Sequence, residues 1–294
     1  MNPLTSSPSL SDPLAPDQAD LYAVIGHPVH HSLSPRIHAL FAAQCGQQIR
    51  YEALEAPRDG FAQSLRQLIA RGAQGANVTI PFKGEAYALA DQHTARAHRA
   101  QAVNTLQFTP DGRIFADNTD GIGLVRDLGA RGVPLRGQRI ALLGAGGAAC
   151  GVWSDLLACD PAALTIANRS AEKARLLAHT ARCASPGLPC PVLGGGFDLL
   201  VGERFDLVIN ATASGLSGSP LPLPEGIFAP GATAYELLYG QDTPFMIQAR
   251  AAGARAVDGL GMLVEQACVA FTLWRGVCPD TAPVLAALRS AHQP

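Results

Sequence analysis

The chain has 294 residues, 48% of them hydrophobic and 16% charged, with a formal net charge of −2 when histidine is neutral. That length is enough for two domains with cores of their own, and the composition is that of a globular rather than a disordered protein. The near-neutral charge leaves no basic field for nucleic acid or an anionic membrane surface, so any recognition of an anion has to be local. Residues 1–19 are rich in Ser, Pro and Leu and lack both a basic start and a continuous apolar stretch. They are expected to be a disordered lead-in rather than a signal peptide. From Leu21 onward strands alternate with helices, which predicts an α/β protein with largely parallel sheets. Leu21 to Ile25 is a short buried strand. Ser34-Pro35 then opens a helix to about Cys45, with Ser34 as N-cap and Pro35 at the first helical position. Tyr51 to Ala56 is a strand, Phe61 to Arg71 a helix and Ala76 to Ile80 a strand. After Lys83 the chain is helical in two pieces to about Ala100. Val103 to Gln107 and Ile114 to Ala116 are strands on either side of the turn Pro110-Asp111-Gly112.

A second α/β unit starts near Asp120, and it holds the most informative stretch of the sequence. Arg139-Ile140-Ala141-Leu142-Leu143 is an apolar strand, Gly144-Ala145-Gly146-Gly147-Ala148-Ala149 a glycine turn, and the residues to Ala158 suit a helix. Strand, glycine turn and helix in that order form a dinucleotide-binding fingerprint, with Ala149 in the third glycine place. Gly144 permits the tight turn, and Gly146 lets backbone N–H groups approach a pyrophosphate at the helix N-terminus. The next strand, Ala163 to Ala167, leads into Asn168-Arg169-Ser170, with Lys173 one turn along. An acidic residue at that place would bind a ribose 2′-hydroxyl. Arg169 and Lys173 suit the 2′-phosphate of NADP instead, and Ser170 adds a donor. Glu172 is the one unhelpful charge there. Further strands run over Leu207 to Ile209 and Ala232 to Glu236, followed by an apolar helix from Met262 to Trp274 and a last helix from Pro283 to Ala291. No apolar run reaches membrane-spanning length.

Seven cysteines, Cys45, Cys150, Cys159, Cys183, Cys190, Cys268 and Cys278, are odd in number and form no C-x-x-C. This indicates neither a disulfide frame nor a zinc ribbon, and suits reduced thiols in a cytoplasmic protein. Three segments of the first unit put small hydroxyl or amide residues where strands end, the usual place for a site in α/β proteins. They are Gly26 to Pro35 (G-H-P-V-H-H-S-L-S-P), Asn77 to Lys83 (N-V-T-I-P-F-K), and Asp117 to Gly121 (D-N-T-D-G) preceded by Val103-Asn104-Thr105.

With A-V-N-T at 102–105, the GAGGA loop, N-A-T-x-S-G at 210–215 and D-G-L-G-M-L-V-x-Q at 258–266, these segments resemble the shikimate dehydrogenase family from about Tyr22 to Pro283. The resemblance implies NADPH-dependent reduction of 3-dehydroshikimate to shikimate, in chorismate and aromatic amino-acid biosynthesis. It implies two α/β domains with a cleft between them: a substrate-binding domain of residues 20–119 and 260–294, and a Rossmann-like NADP-binding domain of residues 120–259 inserted between. Lys83 and Asp120 match the catalytic pair; an ammonium beside a carboxylate can stabilise an alkoxide and give it a proton. Ser32 and Ser34 match the pair that holds the substrate carboxylate, Thr79, Asn104 and Gln266 the positions that bind ring hydroxyls, and Tyr239 a tyrosine reaching the substrate from the cofactor side. Leu237 and Gly259 are implied to join Gly144, Ala145, Gly146, Gly147, Ala148, Asn168, Arg169, Ser170 and Lys173 in the NADP site.

Taken without the resemblance, Lys83 and Asp120 would read as a salt bridge, Ser34 as a plain N-cap and Tyr239 as a surface aromatic. There are departures from the family pattern: His27 and His30 replace Asn and Gly, Glu236 stands for Asp, and Lys173 for Arg. Two histidines and a carboxylate can bind zinc, but the loop already has a substrate role and no metal is expected. A quinate/shikimate dehydrogenase using NAD is disfavoured by Arg169, Lys173 and the two serines, and a non-catalytic relative by intact Lys83 and Asp120. A glutamyl-tRNA reductase is disfavoured by the lack of a cysteine in the site motifs and of a basic surface. The expected partner is a small-molecule substrate, and the expected state a monomer or homodimer.

Overall fold

The computed structural model of the chain describes residues 19–187 and 189–291; the expected lead-in over 1–19 lies outside them except for its last residue. Two six-stranded sheets carry the fold. The first is built from β1 (Asp20–Gly26), β2 (Ile49–Glu55), β3 (Ala73–Val78), β4 (Gln92–His93), β5 (Thr105–Phe108) and β6 (Ile114–Asp117), in the order β2-β1-β3-β5-β6-β4. β1 pairs in parallel with β2 and β3, whereas β5 runs antiparallel to both β3 and β6. The second sheet contains β7 (Arg139–Leu143), β8 (Ala163–Ala167), β9 (Val192–Gly195), β10 (Phe205–Asn210), β11 (Phe228–Glu236) and β12 (Arg255–Val257). It is parallel throughout, in the order β12-β11-β10-β7-β8-β9. The strand order reverses direction at β7, and the glycine turn leaves the carboxyl end of that strand, where open α/β sheets form their crevices.

The helices are α1 (Ser34–Cys45), α2 (Phe61–Ala70), α3 (Lys83–Leu89), α4 (Ala95–Ala100), α5 (Asp120–Ala130), α6 (Gly147–Leu157), α7 (Ala171–Ala184), α8 (Pro244–Ala251), α9 (Leu260–Arg275) and α10 (Thr281–Ser290). Alternation along β7 divides its side chains between two cores. Ile140 and Leu142 pack with Trp153 and Leu156 of α6, while Ala141 and Leu143 pack with Val208, Phe245 and Met246 on the other face. Covered on both sides, the strand reads as a continuous apolar run. The first sheet has its own core, including Ala23, Ile25, Leu65, Phe82 and Leu106.

α9 belongs to both halves. Its Met262 joins the core under β7, whereas Leu260, Val264, Ala267 and Phe271 pack with Ile37 and Phe41 of α1 and with Val284 and Leu288 of α10. At its far end the Trp274 indole donates to the Leu106 carbonyl of β5 (2.9 Å). α5 packs along α9 and against α6. The approach is close: a Cβ added at Gly123 would stand 2.7 Å from the Gln266 Cβ.

Two local expectations differ from the fold, and three short elements were not expected. Ser34 is not the N-cap: Leu33 occupies that position with helical dihedrals and no side-chain cap, and the Ser32 hydroxyl accepts from the Ser34 N–H (3.2 Å). The strand expected over 76–80 ends at Val78, because Thr79 to Phe82 form a turn closed by Phe82 N–H to the Thr79 carbonyl (3.0 Å), leaving Ile80 exposed. β9, β12 and α8 carry no strong sequence pattern, being short elements in which neighbours rather than periodicity decide the conformation.

Candidate active site

Lys83 is the first residue of α3, just past the turn that ends β3, and Asp120 is the first residue of α5. The fold brings their side chains into a direct ion pair that is largely shielded from solvent. Asp120 is delivered by the segment before it, which is tied down at several points. Asp117 accepts from Arg96 Nε (2.7 Å), the Thr94 hydroxyl (2.6 Å) and the Asn118 N–H (2.7 Å). Asn118 Nδ2 donates to the Ala102 carbonyl (2.9 Å), and its Oδ1 accepts from the Asp120 N–H (3.1 Å). Asn104 closes the arrangement: its Nδ2 donates to Asp120 Oδ1 (2.7 Å) and to Gln266 Oε1 of α9 (3.2 Å). Gln266 is itself oriented by Nε2 donating to the Leu263 carbonyl (2.8 Å). Lys83, Asn104, Asp120 and Gln266, drawn from four separate segments of the chain, thus form one hydrogen-bonded cluster.

Ser32 is half-buried and Ser34 buried at the start of α1, the end of a helix that favours an anion. Thr79 follows β3, with its methyl against the backbone of Gly26 in the same loop system. Tyr239 lies in the loop after β11, packs against the α1–α9 core, and meets the Leu33 backbone; burial raises its pKa, with the Leu33 contact opposing the rise. It therefore reaches the serine loop from the other sheet rather than pointing into solvent. In that serine loop, His27 and His30 both face Glu55 at the end of β2. Among the described residues no group of three His, Cys, Asp or Glu side chains is arranged to hold a metal ion.

The glycine turn has the conformation a dinucleotide needs. Gly144 has φ +114°, a region closed to most L-residues, and an added Cβ would stand 2.9 Å from the Ala211 carbonyl oxygen. Gly146 and Gly147 are exposed at the N-terminus of α6, with Ala145 and Ala148 half-buried beside them. That terminus is close to the ion pair, since a Cβ added at Gly147 would be 3.9 Å from Lys83 Cβ and Cδ. Leu237 and Gly259 are brought together on the same side. Gly259 N–H donates to the Leu238 carbonyl (2.9 Å), and a Cβ at Gly259 would meet the Leu237 oxygen at 2.3 Å. Glu236 anchors this turn from within: it accepts from Asn210 Nδ2 (2.7 Å), the Thr243 hydroxyl (2.8 Å) and the Leu238 N–H (3.1 Å), and burial raises its pKa. Asn168 Nδ2 donates to the Ser170 carbonyl (3.0 Å), shaping the turn after β8. Arg169 and Ser170 are exposed there, as is Lys173, and neither cation is in an ion pair among the described residues. Glu172 turns to Arg175 (3.5 Å). Two unpaired cations, an open helix N-terminus and a glycine turn closed to side chains fit a phosphorylated dinucleotide such as NADP.

Residues given no role by sequence reasoning also line this region. Asn77, Thr105 and Thr119 form a buried polar layer beneath Asn104, with the half-buried Tyr51 donating to Asn77 at its edge. Three of them stand inside the quoted motifs, which was the available signal. Tyr51 had none, since a tyrosine in a strand reads as core.

A family model for the shikimate dehydrogenase substrate binding domain matches residues 24–106, one for shikimate/quinate 5-dehydrogenase matches 127–215, and one for the shikimate 5′-dehydrogenase C-terminal domain matches 259–289. The chain is 56% identical over 274 residues to the shikimate dehydrogenase (NADP(+)) of Methylobacillus flagellatus, covering 92% of this chain and 100% of that protein. Among solved structures, an Ael1 enzyme from Pseudomonas putida is 45% identical with a TM-score of 0.82, over 92% of this chain and 98% of that one. The shikimate 5-dehydrogenase of Thermus thermophilus in complex with NADP(H) and shikimate is 33% identical with a TM-score of 0.79, over 92% and 99%.

Proposed function

The chain belongs to the shikimate dehydrogenase family and is an NADP-dependent oxidoreductase acting on a CH–OH group, and from that premise we propose which of its residues carry the reaction and how. The substrate is shikimate in one direction and 3-dehydroshikimate in the other, on the route to chorismate and the aromatic amino acids. Residues 20–119 and 260–294 form the substrate domain and 120–259 the cofactor domain, a division supported by the way α9 returns to pack on α1. Ser32 and Ser34 take the substrate carboxylate, and Thr79, Asn104 and Gln266 its ring hydroxyls. Tyr239 approaches the ligand from the cofactor side. Gly144, Ala145, Gly146, Gly147, Ala148, Leu237 and Gly259 hold the pyrophosphate and nicotinamide halves of NADP, and Asn168, Arg169, Ser170 and Lys173 its adenosine 2′-phosphate. The protein works in the cytoplasm as a monomer or homodimer.

When bound, NADPH supplies a hydride to the substrate carbonyl carbon. Lys83 then gives a proton from Nζ to the oxygen that becomes an alkoxide, and in the oxidative direction the pair receives that proton back. Asp120 holds Nζ in line through Oδ2 while Asn104 holds Asp120 through Oδ1, so the donor is in place before charge develops and little reorganisation is needed. The observation that carries this reading is the convergence of Lys83, Asp120, Asn104 and Gln266 on one cluster beside the glycine turn. The test is reduction of NADP by shikimate, measured against quinate and against NAD. Shikimate with NADP should give the highest kcat/KM; equal turnover of quinate or NAD would overturn the assignment of the substrate or of the 2′-phosphate site.

A further inference from the structure

The buried polar layer under the ion pair has a sense of direction that proton counting reveals. Tyr51 Oη donates to Asn77 Oδ1 (2.7 Å), so the Asn77 amide faces inward with Nδ2. Both Nδ2 protons are used, one on the Asn104 backbone carbonyl and one on Thr105 Oγ1 (3.1 Å each). Thr105 has accepted from Asn77 and has one proton left to give. Asn104 Oδ1 at 3.0 Å is the nearer acceptor for it, ahead of Thr119 Oγ1 at 3.4 Å. The Thr119 backbone N–H donates to the same oxygen (2.8 Å). With these donors on Oδ1, Asn104 Nδ2 has to face Asp120 Oδ1 (2.7 Å), with Thr119 Oγ1 (3.0 Å) and Gln266 Oε1 (3.2 Å) as its other acceptors. The flipped amide would set an oxygen against a carboxylate and an NH2 group against two donors, and Asn104, Thr105 and Thr119 are too deeply buried for water to relieve that.

We infer that Thr105 is a positioning residue for the reaction: its hydroxyl, together with Thr119, locks the Asn104 amide in the one orientation that holds Asp120 in place for Lys83. Thr105 is fully buried in β5 and acts only through Asn104. The inference rests on the reading of Lys83 and Asp120 as the acid–base pair. Thr105 Oγ1 accepts from Asn77 and donates to Asn104 through one atom, which a valine cannot do.

The experiment compares Thr105→Val, which keeps the shape and removes the hydroxyl, with Thr105→Ser, which keeps the hydroxyl. kcat and KM for shikimate and NADP are measured in each, in both the wild-type and the Lys83→Ala background. Thr105→Val should lower kcat about tenfold, the upper range for one neutral hydrogen bond, with KM for NADP unchanged. Thr105→Ser should restore most of the loss, and Thr105→Val should cost nothing further once Lys83 is gone. Wild-type kcat in folded Thr105→Val, or an equal loss with and without Lys83, would overturn the positioning role. If Thr105→Val does not fold, Thr105→Cys, with a similar volume and a weak donor, is compared with Thr105→Ser, and equal kcat in the two overturns it. Near-normal kcat in Lys83→Ala alone would instead remove the acid–base reading beneath it.

Discussion

Lys83 and Asp120 are common residue types whose pairing elsewhere would be an ordinary salt bridge; here the burial of the carboxylate and its second tie to Asn104 give the pair a fixed direction. Lys83→Ala should lower kcat by about 10²–10⁴, the usual range for a lost acid–base group, with little change in KM for shikimate. Steady-state rates on a variant shown to be folded and to bind NADPH decide this. Arg169 faces solvent with no ion-pair partner among the described residues, so its charge is available to a 2′-phosphate. Arg169→Ala should narrow the preference for NADP over NAD by roughly tenfold or more, mainly through KM for NADP, because a charge-assisted hydrogen bond contributes about 1.5–3 kcal/mol. Comparison of kcat/KM for the two cofactors in wild type and variant measures it. His38 offers a prediction about pH. It is wholly buried in α1, stacked on Tyr51 (ring centroids 4.2 Å apart), and burial pushes it down to about 3 from 6.5, with Asn77 opposing the shift. Between those values the unfolded chain binds a proton that the folded one refuses, so stability is lost as pH falls through that window, at up to about 1.4 kcal/mol per pH unit. His38→Phe should flatten the acid side of a plot of unfolding free energy against pH, as followed by denaturant titration.

At the scale of elements, the site is an intersection of helices. α5 brings Asp120, α9 brings Gln266, and α6 brings its N-terminus to Lys83. The contact between α5 and α9 has no spare room at Gly123, where an added Cβ would stand 2.7 Å from Gln266 Cβ and 2.8 Å from its backbone nitrogen. Backbone cannot swing aside as a side-chain tip can. Gly123→Ala should therefore force the helices apart, destabilising the protein by about 1–3 kcal/mol as overpacking does. It should also weaken shikimate binding more than NADP binding, since Gln266 moves while the glycine turn does not. Thermal melts together with the two KM values test both halves of this expectation.

For the whole molecule, the proposed substrate site draws its residues from two sheets. Ser32, Ser34, Thr79 and Asn104 belong to the first sheet and its helices, whereas Tyr239 and the glycine turn belong to the second. α9 contributes to the cores of both halves, and its far end is pinned to β5 by Trp274. Binding of shikimate and NADP together should close the cleft between the sheets, as hinge closure around a ligand does. Hydrogen exchange in Gly26–Leu33 and in the loop carrying Tyr239 should slow in the ternary complex more than with either ligand alone. Unchanged exchange in both segments would contradict closure.

The sequence by itself determined the elements with strong periodicity, the parallel glycine-turn unit and the chemical types at the site, because these follow from local rules: apolar runs, turn residues and motif spacing. Strand β7, the turn at Gly144 and helix α6 stand where the pattern places them. Only the tertiary structure decided how those pieces meet. No local signal says that Ser34 loses the N-cap to Leu33. Nor does one show that Tyr51 lies at the root of a chain of hydrogen bonds reaching Asp120. Those outcomes depend on burial and on which donors and acceptors remain unsatisfied once distant segments pack together. A buried polar atom takes whatever partner the fold places within about 3 Å, and that partner is set by packing across the molecule rather than by neighbours in the chain.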